Sequence, residues 1–524
     1  MPGLARVSGR KVNPLRTRKH EAEERGRWIV REKEPGTGMA RILMRRKKMH
    51  KTRACLLLWP AVLLLTGCMT VGPDYIVPET ETPPAWNAGL GGHLRTGQAD
   101  PEELARWWET FQDPVLVSLM NRAVKKNPDL KEAAARVREA RARRAAAGAG
   151  MFPALDSTAS FQRSGDSEST RNLYSAGFDA RWEIDLFGGV RRSVQAAGAD
   201  LQAAGEAMND TLVTLTAEVA LNYVEVRTFQ ARLETAETNL ALQEETYRLQ
   251  QALVQAGLSD WLALQRARSN LESTRALIPS LRASLEGAKN RLAVLLGELP
   301  GAVHEELARS RPVPMVPPEV SVDAPADILR RRPDVRRAER ELAAQSARVG
   351  MAMAELYPRI TLNGSIGLSA LSSGDLFTAD SRTFGYGPRI TLPIFSAGSI
   401  RAGIEARSAL QEQALVRYEA AVLVALEEVE NALSAYAQEQ VRRAALQESA
   451  QAAQEAAELA EHQYRSGLVD FTVLLDTQRS LLSAQDELAR NSGTLASNLV
   501  RLYKALGGGW PAHEAEQYER GESR

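Results

Sequence analysis

The sequence repeats itself, and this duplication restricts the possible folds more than any other feature. Asn127-Pro128-Asp129 has a counterpart 205 residues later in Arg332-Pro333-Asp334. Gly257-Leu258-Ser259-Asp260 corresponds to Gly467-Leu468-Val469-Asp470 after 210 residues. Three further pairs are 205, 208 and 210 residues apart: Pro153 and Pro358, Phe187 and Phe395, and Leu296 and Leu506. Because the separation is nearly constant, both halves are predicted to share one architecture.

Each half contains segments in which apolar and polar residues alternate. In the first half they cover 174–186 and, more weakly, 155–163, and in the second half 360–370 and 384–394. A period of two is typical of a β-strand with one apolar and one polar face. Such strands are longer than the usual 5–6 residues, and they match the roughly 9–11 residues that cross a bilayer. A half-exposed sheet in a soluble domain is the alternative.

Four strands are too few to enclose a pore within one chain. Backbone groups inside a bilayer must all be hydrogen-bonded, so membrane strands close into barrels, which begin at about eight strands. A membrane location therefore predicts that several chains share one barrel. On the apolar face lie Trp182, Ile184, Ile366 and Leu368, which we expect to contact lipid.

Helical patterns precede the strands at 115–150 and 334–356, and much longer ones follow them. Leu212 and Tyr247 are the ends of one series of apolar residues spaced by seven, and the second half has a matching series. This period predicts left-handed coiled-coil packing. Outgoing helices of about 60 residues would extend about 90 Å, too far to lie within a bilayer, so the hairpins are expected to project from it.

Glycine and proline mark specific points in these hairpins. Gly257 and Gly467 lie at the predicted turns, where glycine commonly caps the end of a helix. Pro279 is expected to kink or interrupt the first returning helix, because proline lacks an amide hydrogen and clashes with the preceding turn.

Residues 49–68 contain a secretory signal pattern. Lys51 and Arg53 precede an apolar run that is shorter than the roughly 20 residues of a membrane-spanning helix. The run ends in Leu65-Thr66-Gly67-Cys68, which resembles the bacterial lipobox, where the chain is cut before a cysteine that is then lipidated. The next residue is Met69 rather than Asp, which favours the outer membrane. An ordinary signal peptide with an unrelated cysteine is the alternative.

Composition argues against catalysis and against nucleic-acid binding. The formal net charge is +1 over 524 residues, and Cys55 and Cys68 are the two cysteines. The six histidines have no metal-ligand spacing, and the sequence contains no Gly-x-Ser-x-Gly, phosphate-loop or zinc motif. The sequence therefore predicts a protein that is not an enzyme and that needs neither a cofactor nor a metal.

Four motifs together resemble one known family. They are Cys68-Met69-Thr70-Val71-Gly72-Pro73-Asp74-Tyr75, Trp107-Trp108-Glu109-Thr110-Phe111-Gln112-Asp113-Pro114, Arg332-Pro333-Asp334-Val335 and Leu392-Pro393-Ile394-Phe395. They are similar to the outer-membrane factors, the TolC-type exit ducts, and among these to the lipoproteins of resistance–nodulation–division efflux systems (NodT-type). The resemblance extends from Cys68 to about Trp510. It implies a membrane β-barrel continued by a long α-helical barrel, in which a homotrimer closes 12 strands above a periplasmic coiled-coil tunnel.

The repeats and the resemblance together predict seven segments. They are a dispensable or non-native extension (1–48), a lipoprotein signal peptide (49–67), a lipidated equatorial segment (68–114), a first repeat (115–310), a linker (311–333), a second repeat (334–510) and a polar tail (511–524). The implied partners are a periplasmic adaptor (membrane fusion) protein, an inner-membrane proton-driven transporter and outer-membrane lipid, with no nucleic acid.

Two functional sites are expected near the ends of the hairpins. The adaptor is expected to dock at tips formed by Gly257, Leu258, Gly467 and Leu468, although the glycines could serve only as helix caps. The segment Tyr464 to Asp476 resembles the family's closing segment, in which an Asp at this place surrounds the constriction. We therefore expect Asp476, Thr472 and Tyr464 to belong to a gate, with Arg266 as the partner of Asp476. A solvated Asp476 on the outer helix face is the alternative.

The predicted function is that of a passive exit duct for drugs or other small solutes in a tripartite efflux pump. Two alternatives stay open at this point. One is a duct of the same family for protein or polysaccharide export. The other is a lipid-tethered periplasmic scaffold without a pore.

Overall fold

The structure is a computed structural model that describes residues 70–89, 91, 93–97, 100–317 and 319–511. The signal peptide, Cys68 and residues 512–524 lie outside the described residues. The helices are α1 Pro101–Ala105, α2 Pro114–Lys126, α3 Pro128–Ala149, α4 Gly189–Gln255, α5 Trp261–Leu295, α6 Pro325–Arg331, α7 Pro333–Ala354, α8 Ser399–Arg465 and α9 Phe471–Ala505. The strands are β1 Leu94–Thr96, β2 Ala154–Gly165, β3 Thr170–Ile184, β4 Val320–Val322, β5 Arg359–Ala370 and β6 Arg382–Thr391. Short 3-10 helices cover Trp107–Phe111, Ser373–Asp375 and Ala379–Ser381.

The same series of elements occurs twice. A helix, two strands and a helical hairpin make up α3 to α5, and the series returns as α7 to α9. Corresponding helices have equal lengths: 22 residues in α3 and α7, 67 in α4 and α8, and 35 in α5 and α9. The internal duplication read from the sequence is therefore present in the fold.

The four long strands form one antiparallel sheet in the order β2-β3-β5-β6. Ile366 of β5 is paired with Phe178 on one side and with Phe384 on the other, so these apolar side chains share a face. The neighbouring Ser365 is paired with Asp179, on the opposite, polar face. The alternation thus predicted the strands and their faces, with bounds that differ from the observed ones by a few residues.

The long helices form two antiparallel hairpins, α4 with α5 and α8 with α9, and α4 also packs against α9. A 67-residue helix is about 100 Å long at about 1.5 Å per residue. Among the described residues, no helix combines the length and the hydrophobicity that a membrane-crossing helix needs.

The largest apolar core surrounds the middle of the long helices. Trp107 is fully buried and stacks on Tyr503 of α9 with ring centroids 5.3 Å apart. Leu215 to Val226 of α4 and Val429 to Tyr436 of α8 contribute to the same core. Parallel pairing of β1 with β4 connects the segment before the first repeat to the segment between the repeats. Both non-repeated segments therefore pack around the helices at mid-length.

The helical stretch predicted at 115–150 is present, and the break expected at Pro279 is absent. The stretch 115–150 is two helices, because the Asn127 side chain caps α3 by accepting a hydrogen bond from the Leu130 amide at 3.0 Å, and Pro128 begins α3. Helix α5 continues through Pro279 without a break. Ile278 and Leu281 beside that proline are buried against Ala236 of α4, and this packing holds the helix together.

Candidate functional site at the hairpin tips

The two hairpin turns have the same backbone geometry. Gly257 and Gly467 have φ angles of 71° and 72°, in the left-handed region that favours glycine. The amides of Leu258 and Leu468 donate back to the carbonyls of Leu253 and Gln463 at 2.8 and 2.9 Å. This is the Schellman arrangement, which satisfies carbonyls at the end of a helix. Both glycines therefore cap their outgoing helices.

Capping does not explain the leucines that follow. The Leu258 and Leu468 side chains are each 76% exposed in the chain. The Schellman turn uses only their backbone amides, so the hydrogen-bonding pattern leaves the side-chain identity free. Each tip therefore presents one exposed leucine directly after its turn.

The predicted gate residues occupy equivalent places in the two hairpins. Arg266 lies nine residues after Gly257, and Asp476 lies nine residues after Gly467. Both side chains are exposed, as is Thr472. Within the described chain, no ion pair joins Arg266 to Asp476, so their predicted pairing is not formed inside one chain.

Tyr464 is half-buried between the two hairpins. Its hydroxyl donates to Gln250 Oε1 of α4 at 2.8 Å, and its ring lies 5.7 Å from the ring of Phe471. Burial raises the pKa of Tyr464 above its usual value, so the hydroxyl keeps its proton at neutral pH. Tyr464 therefore links the second hairpin to the first.

A polar seam continues this link along α4 and α9. Gln478 Nε2 donates to Thr246 Oγ1 at 2.7 Å, and Asn239 Nδ2 donates to Gln485 Oε1 at 2.8 Å. Further up, Arg232 of α4 forms an ion pair with Asp486 of α9, with Nε and Oδ1 2.7 Å apart. The parts of the two hairpins near the tips are thus held together by these hydrogen bonds and by a small apolar cluster that includes Ala267, Phe471 and Leu474.

The sequence carries a signal for this seam. Asn239, Gln243, Thr246 and Gln250 follow one another at spacings of four, three and four residues, the spacing of core positions in a coiled coil. All four are buried. Asn239, Thr246 and Gln250 form hydrogen bonds to the second hairpin, whereas the buried Gln243 side chain has no hydrogen-bond partner among the described residues.

The first described residues lie at the junction between the sheet and the long helices. The Val71 amide donates to the Phe187 carbonyl at 3.0 Å, just after β3. Arg192 of α4 donates to the Val71 and Gly72 carbonyls at 3.1 and 3.0 Å. Cys68 lies outside the described residues, two positions before Thr70.

Among the described residues, no group of three or more His, Cys, Asp or Glu side chains is placed to hold a metal ion. The fold defines a class of duplicated proteins that join a β-sheet to two very long helical hairpins.

Comparison with known proteins identifies the family. The sequence profile of the outer membrane efflux protein family matches residues 119–298 and 324–508. The chain belongs to this family of efflux channels, and it is a transport protein of the outer membrane.

Individual relatives match over nearly their whole length. Nodulation protein T of Rhizobium leguminosarum bv. trifolii is 33% identical over 454 residues, which cover 86% of this chain and 96% of that protein. The solvent efflux pump outer membrane protein SrpC of Pseudomonas putida is 32% identical over 464 residues, which cover 86% and 97%. The solved outer-membrane channel OprN has a TM-score of 0.79 at 36% identity and covers 84% of this chain and 99% of its own.

Proposed function

We propose that three copies of this chain form the outer-membrane exit duct of a tripartite efflux pump. The observation that carries this proposal is the sheet with its two open edges. Within the described residues, neither the outer edge of β2 nor that of β6 is paired with another strand. Unpaired backbone groups cannot remain in lipid, so the edges require further copies of the chain.

Three copies would supply twelve strands, an even number within the range of membrane barrels. The apolar faces of the sheets would contact lipid, and the polar faces would line the water-filled interior. The hairpins, about 100 Å long, would continue the passage into the periplasm. Such a duct is passive and needs no cofactor, because an adaptor and an inner-membrane proton-driven transporter select and move the solute.

Small solutes are the proposed cargo. The printed names of several relatives refer to efflux of solvents, toluene, antibiotics and cations. A wide, wet passage makes few fitted contacts, so the choice of substrate would lie with the transporter. The names thus support transport of drugs or other small molecules over export of proteins or polysaccharides.

The duct proposal is tested by oligomer mass and by drug susceptibility together. Native mass spectrometry of the full chain purified in detergent should give three times the monomer mass. Deletion of the gene in the native host should lower the minimum inhibitory concentration of at least one antibiotic, dye or solvent, and expression in trans should restore it. A monomeric protein in a host whose susceptibility does not change would contradict the proposal.

We also propose that Asp476 and Arg266 form the periplasmic gate. Their equivalent places after the two turns would put three aspartates and three arginines at one level around the threefold axis. Each carboxylate could then pair with a guanidinium of a neighbouring hairpin. The hydrogen bonds between α4 and α9 would open at less cost than apolar contacts, because their polar groups can bond to water instead, so the main cost of opening would lie in the apolar cluster around Phe471 and Leu474.

Single-channel recording tests the gate. Asp476→Ala should raise the conductance or weaken cation preference, since carboxylate rings favour cations. Arg266→Ala should increase the open time by removing the partner charge. Arg268→Ala, on the same helix and also exposed, is the matched control and should leave both properties unchanged. If both gate variants conduct like the wild type, Asp476 is only a solvated surface residue.

A further inference from the structure

We propose that the contact between neighbouring protomers repeats the contact between the two halves of one chain, so that Phe395 stacks on Phe152 of the next copy. This inference rests on the trimer proposed above. It goes further by assigning the strand register and the aromatic pair at the protomer boundary.

The template lies inside the chain, where β3 of the first repeat pairs with β5 of the second. Phe187 follows β3 and Tyr357 precedes β5, and their rings stack with centroids 4.8 Å apart at an angle of 24°. Aromatic pairs at this separation stabilise an interface beyond the area they bury. The stack therefore stabilises the end of the sheet next to the long helices, where the two repeats meet.

Phe187 and Tyr357 each have an aromatic counterpart in the other repeat, and these counterparts do not stack in the single chain. Phe395 corresponds to Phe187 after 208 residues, and Phe152 precedes Tyr357 by 205 residues. Phe395 is 89% exposed and Phe152 is 71% exposed. They flank β6 and β2, the two edge strands at opposite ends of the sheet, so only a second copy can bring them together.

The same correspondence predicts the pairing of β6 with β2 of the next copy. In the predicted pairing, Tyr386 lies opposite Phe161, as Phe178 lies opposite Ile366 inside the chain. Ile390 likewise lies opposite Ser157, as Trp182 lies opposite Leu362. This register brings the apolar faces of both edge strands to the same side. A slip by one residue would place an apolar face against a polar one.

The polar faces of β6 and of β2 of the next copy are also complementary. Arg389 of β6 would lie opposite Thr158 and diagonally across from Asp156 of the next copy, within reach of an opposite-charge pair. Gly387 would lie opposite Ser160, and a Cβ atom added at Gly387 meets no atom within 4 Å in the single chain. The open edges of β2 and β6 thus fit each other in chemistry as well as in backbone direction.

Disulfide cross-linking tests the register. We would express the full-length chain carrying Ser160→Cys with Gly387→Cys, oxidise it in outer-membrane fractions and run non-reducing gels. Most of the chain should then move to dimer- and trimer-sized bands that dithiothreitol abolishes. Each single substitution shows any bond formed through a native cysteine.

The matched control is Ser164→Cys with Gly387→Cys. Ser164 lies on the same face of β2 but about 13 Å further along the strand at about 3.3 Å per residue, beyond the roughly 7 Å that a disulfide can bridge. Cross-linking in the test pair and none in the control supports the inference. Trimers that cross-link only in the control pair or in neither pair overturn the register and leave the duct proposal standing, whereas a monomeric chain without cross-links overturns both.

Discussion

At the scale of single residues, two motifs give the duplication a physical role. The Asn127 side chain donates to the Leu295 carbonyl at the end of α5, at 2.9 Å. Arg332 donates to the Ala505 carbonyl at the end of α9, at 3.0 Å. Because the acceptors are 210 residues apart, Asn127 and Arg332 close their repeats in the same way. The sequence revealed both motifs as repeat markers, but their acceptors became known only from the folded hairpins.

Arg332 has partners that Asn127 lacks. It bonds to Asp334 and Glu428 at 2.7 and 2.6 Å, and its side chain is only 8% exposed. Burial alone would raise the pKa of Asp334, but the hydrogen bond and positive charge of Arg332 outweigh burial and lower that pKa. Arg332 therefore fixes the start of α7 against both α8 and α9.

Arg332→Ala should lower the free energy of unfolding more than Asn127→Ala does. Arg332→Ala breaks a buried ion pair, which costs about 3–5 kcal/mol, and the half-exposed Glu428 can rehydrate, so we expect about 3 kcal/mol. Asn127→Ala removes a cap and one hydrogen bond, worth about 1–2 kcal/mol. Thermal unfolding followed by circular dichroism measures the order of the two effects. An equal or larger loss in Asn127→Ala would refute this ranking.

Cys68 is the remaining prediction at the residue scale. Thr70 and Val71 lie at the sheet end of the long helices, and two residues reach at most about 7 Å, so a lipid on Cys68 could enter the same membrane as the sheet. Mass spectrometry of the mature protein should find acylated Cys68 at the N-terminus and no peptide from 49–67. Recovery of an intact Leu65–Thr70 peptide as the main species would exclude lipidation.

At the scale of elements, the sequence predicted periodic structure well and interruptions poorly. Alternation gave the four long strands because a sheet with one apolar face imposes a period of two. The break expected at Pro279 does not occur, because Ile278 and Leu281 pack against α4 on both sides of the proline. Local helix propensity does not include such packing. The three-residue strands β1 and β4 could not be predicted, since their pairing joins segments far apart in sequence.

Two adjacent residues of β5 test which face of the sheet contacts lipid. Ile366 shares a face with Phe178 and Phe384, whereas Ser365 points to the other side. A charge facing lipid near the bilayer midplane costs about 2–4 kcal/mol in membrane barrels. Ile366→Arg should therefore reduce the amount of heat-labile trimer on unheated gels, and Ser365→Arg should have a milder effect. Equal losses would contradict the assignment of the faces.

At the scale of the whole molecule, the length of the helices separates two tasks. The sheet lies at one end of the long helices, and the turns at Gly257 and Gly467 lie at the other end, about 100 Å away. A partner that docks at the tips would therefore reach the proposed gate without touching the sheet. The sequence and the family resemblance predicted this division. They did not predict which residues join neighbouring chains, because those groups are exposed in a single chain.

The exposed leucines at the tips provide the test of that division. Leu258 and Leu468 are each 76% exposed, and a groove between partner helices can bury an apolar side chain beside a turn. Leu258→Asp combined with Leu468→Asp places a carboxylate in each groove, where its desolvation opposes docking. Pump-dependent resistance, measured as inhibitory concentrations, should disappear while trimer yield stays normal.

The control for the tips comes from the duplication itself. Gln251→Asp introduces an acid near the first tip at an exposed position where the second hairpin already carries Glu461, so it should leave resistance intact. The two single leucine variants then divide the effect between the hairpins. Because a trimer offers six similar tips, each single variant keeps three intact sites, and partial resistance is expected. Normal resistance in the double variant would show that the adaptor does not depend on these leucines.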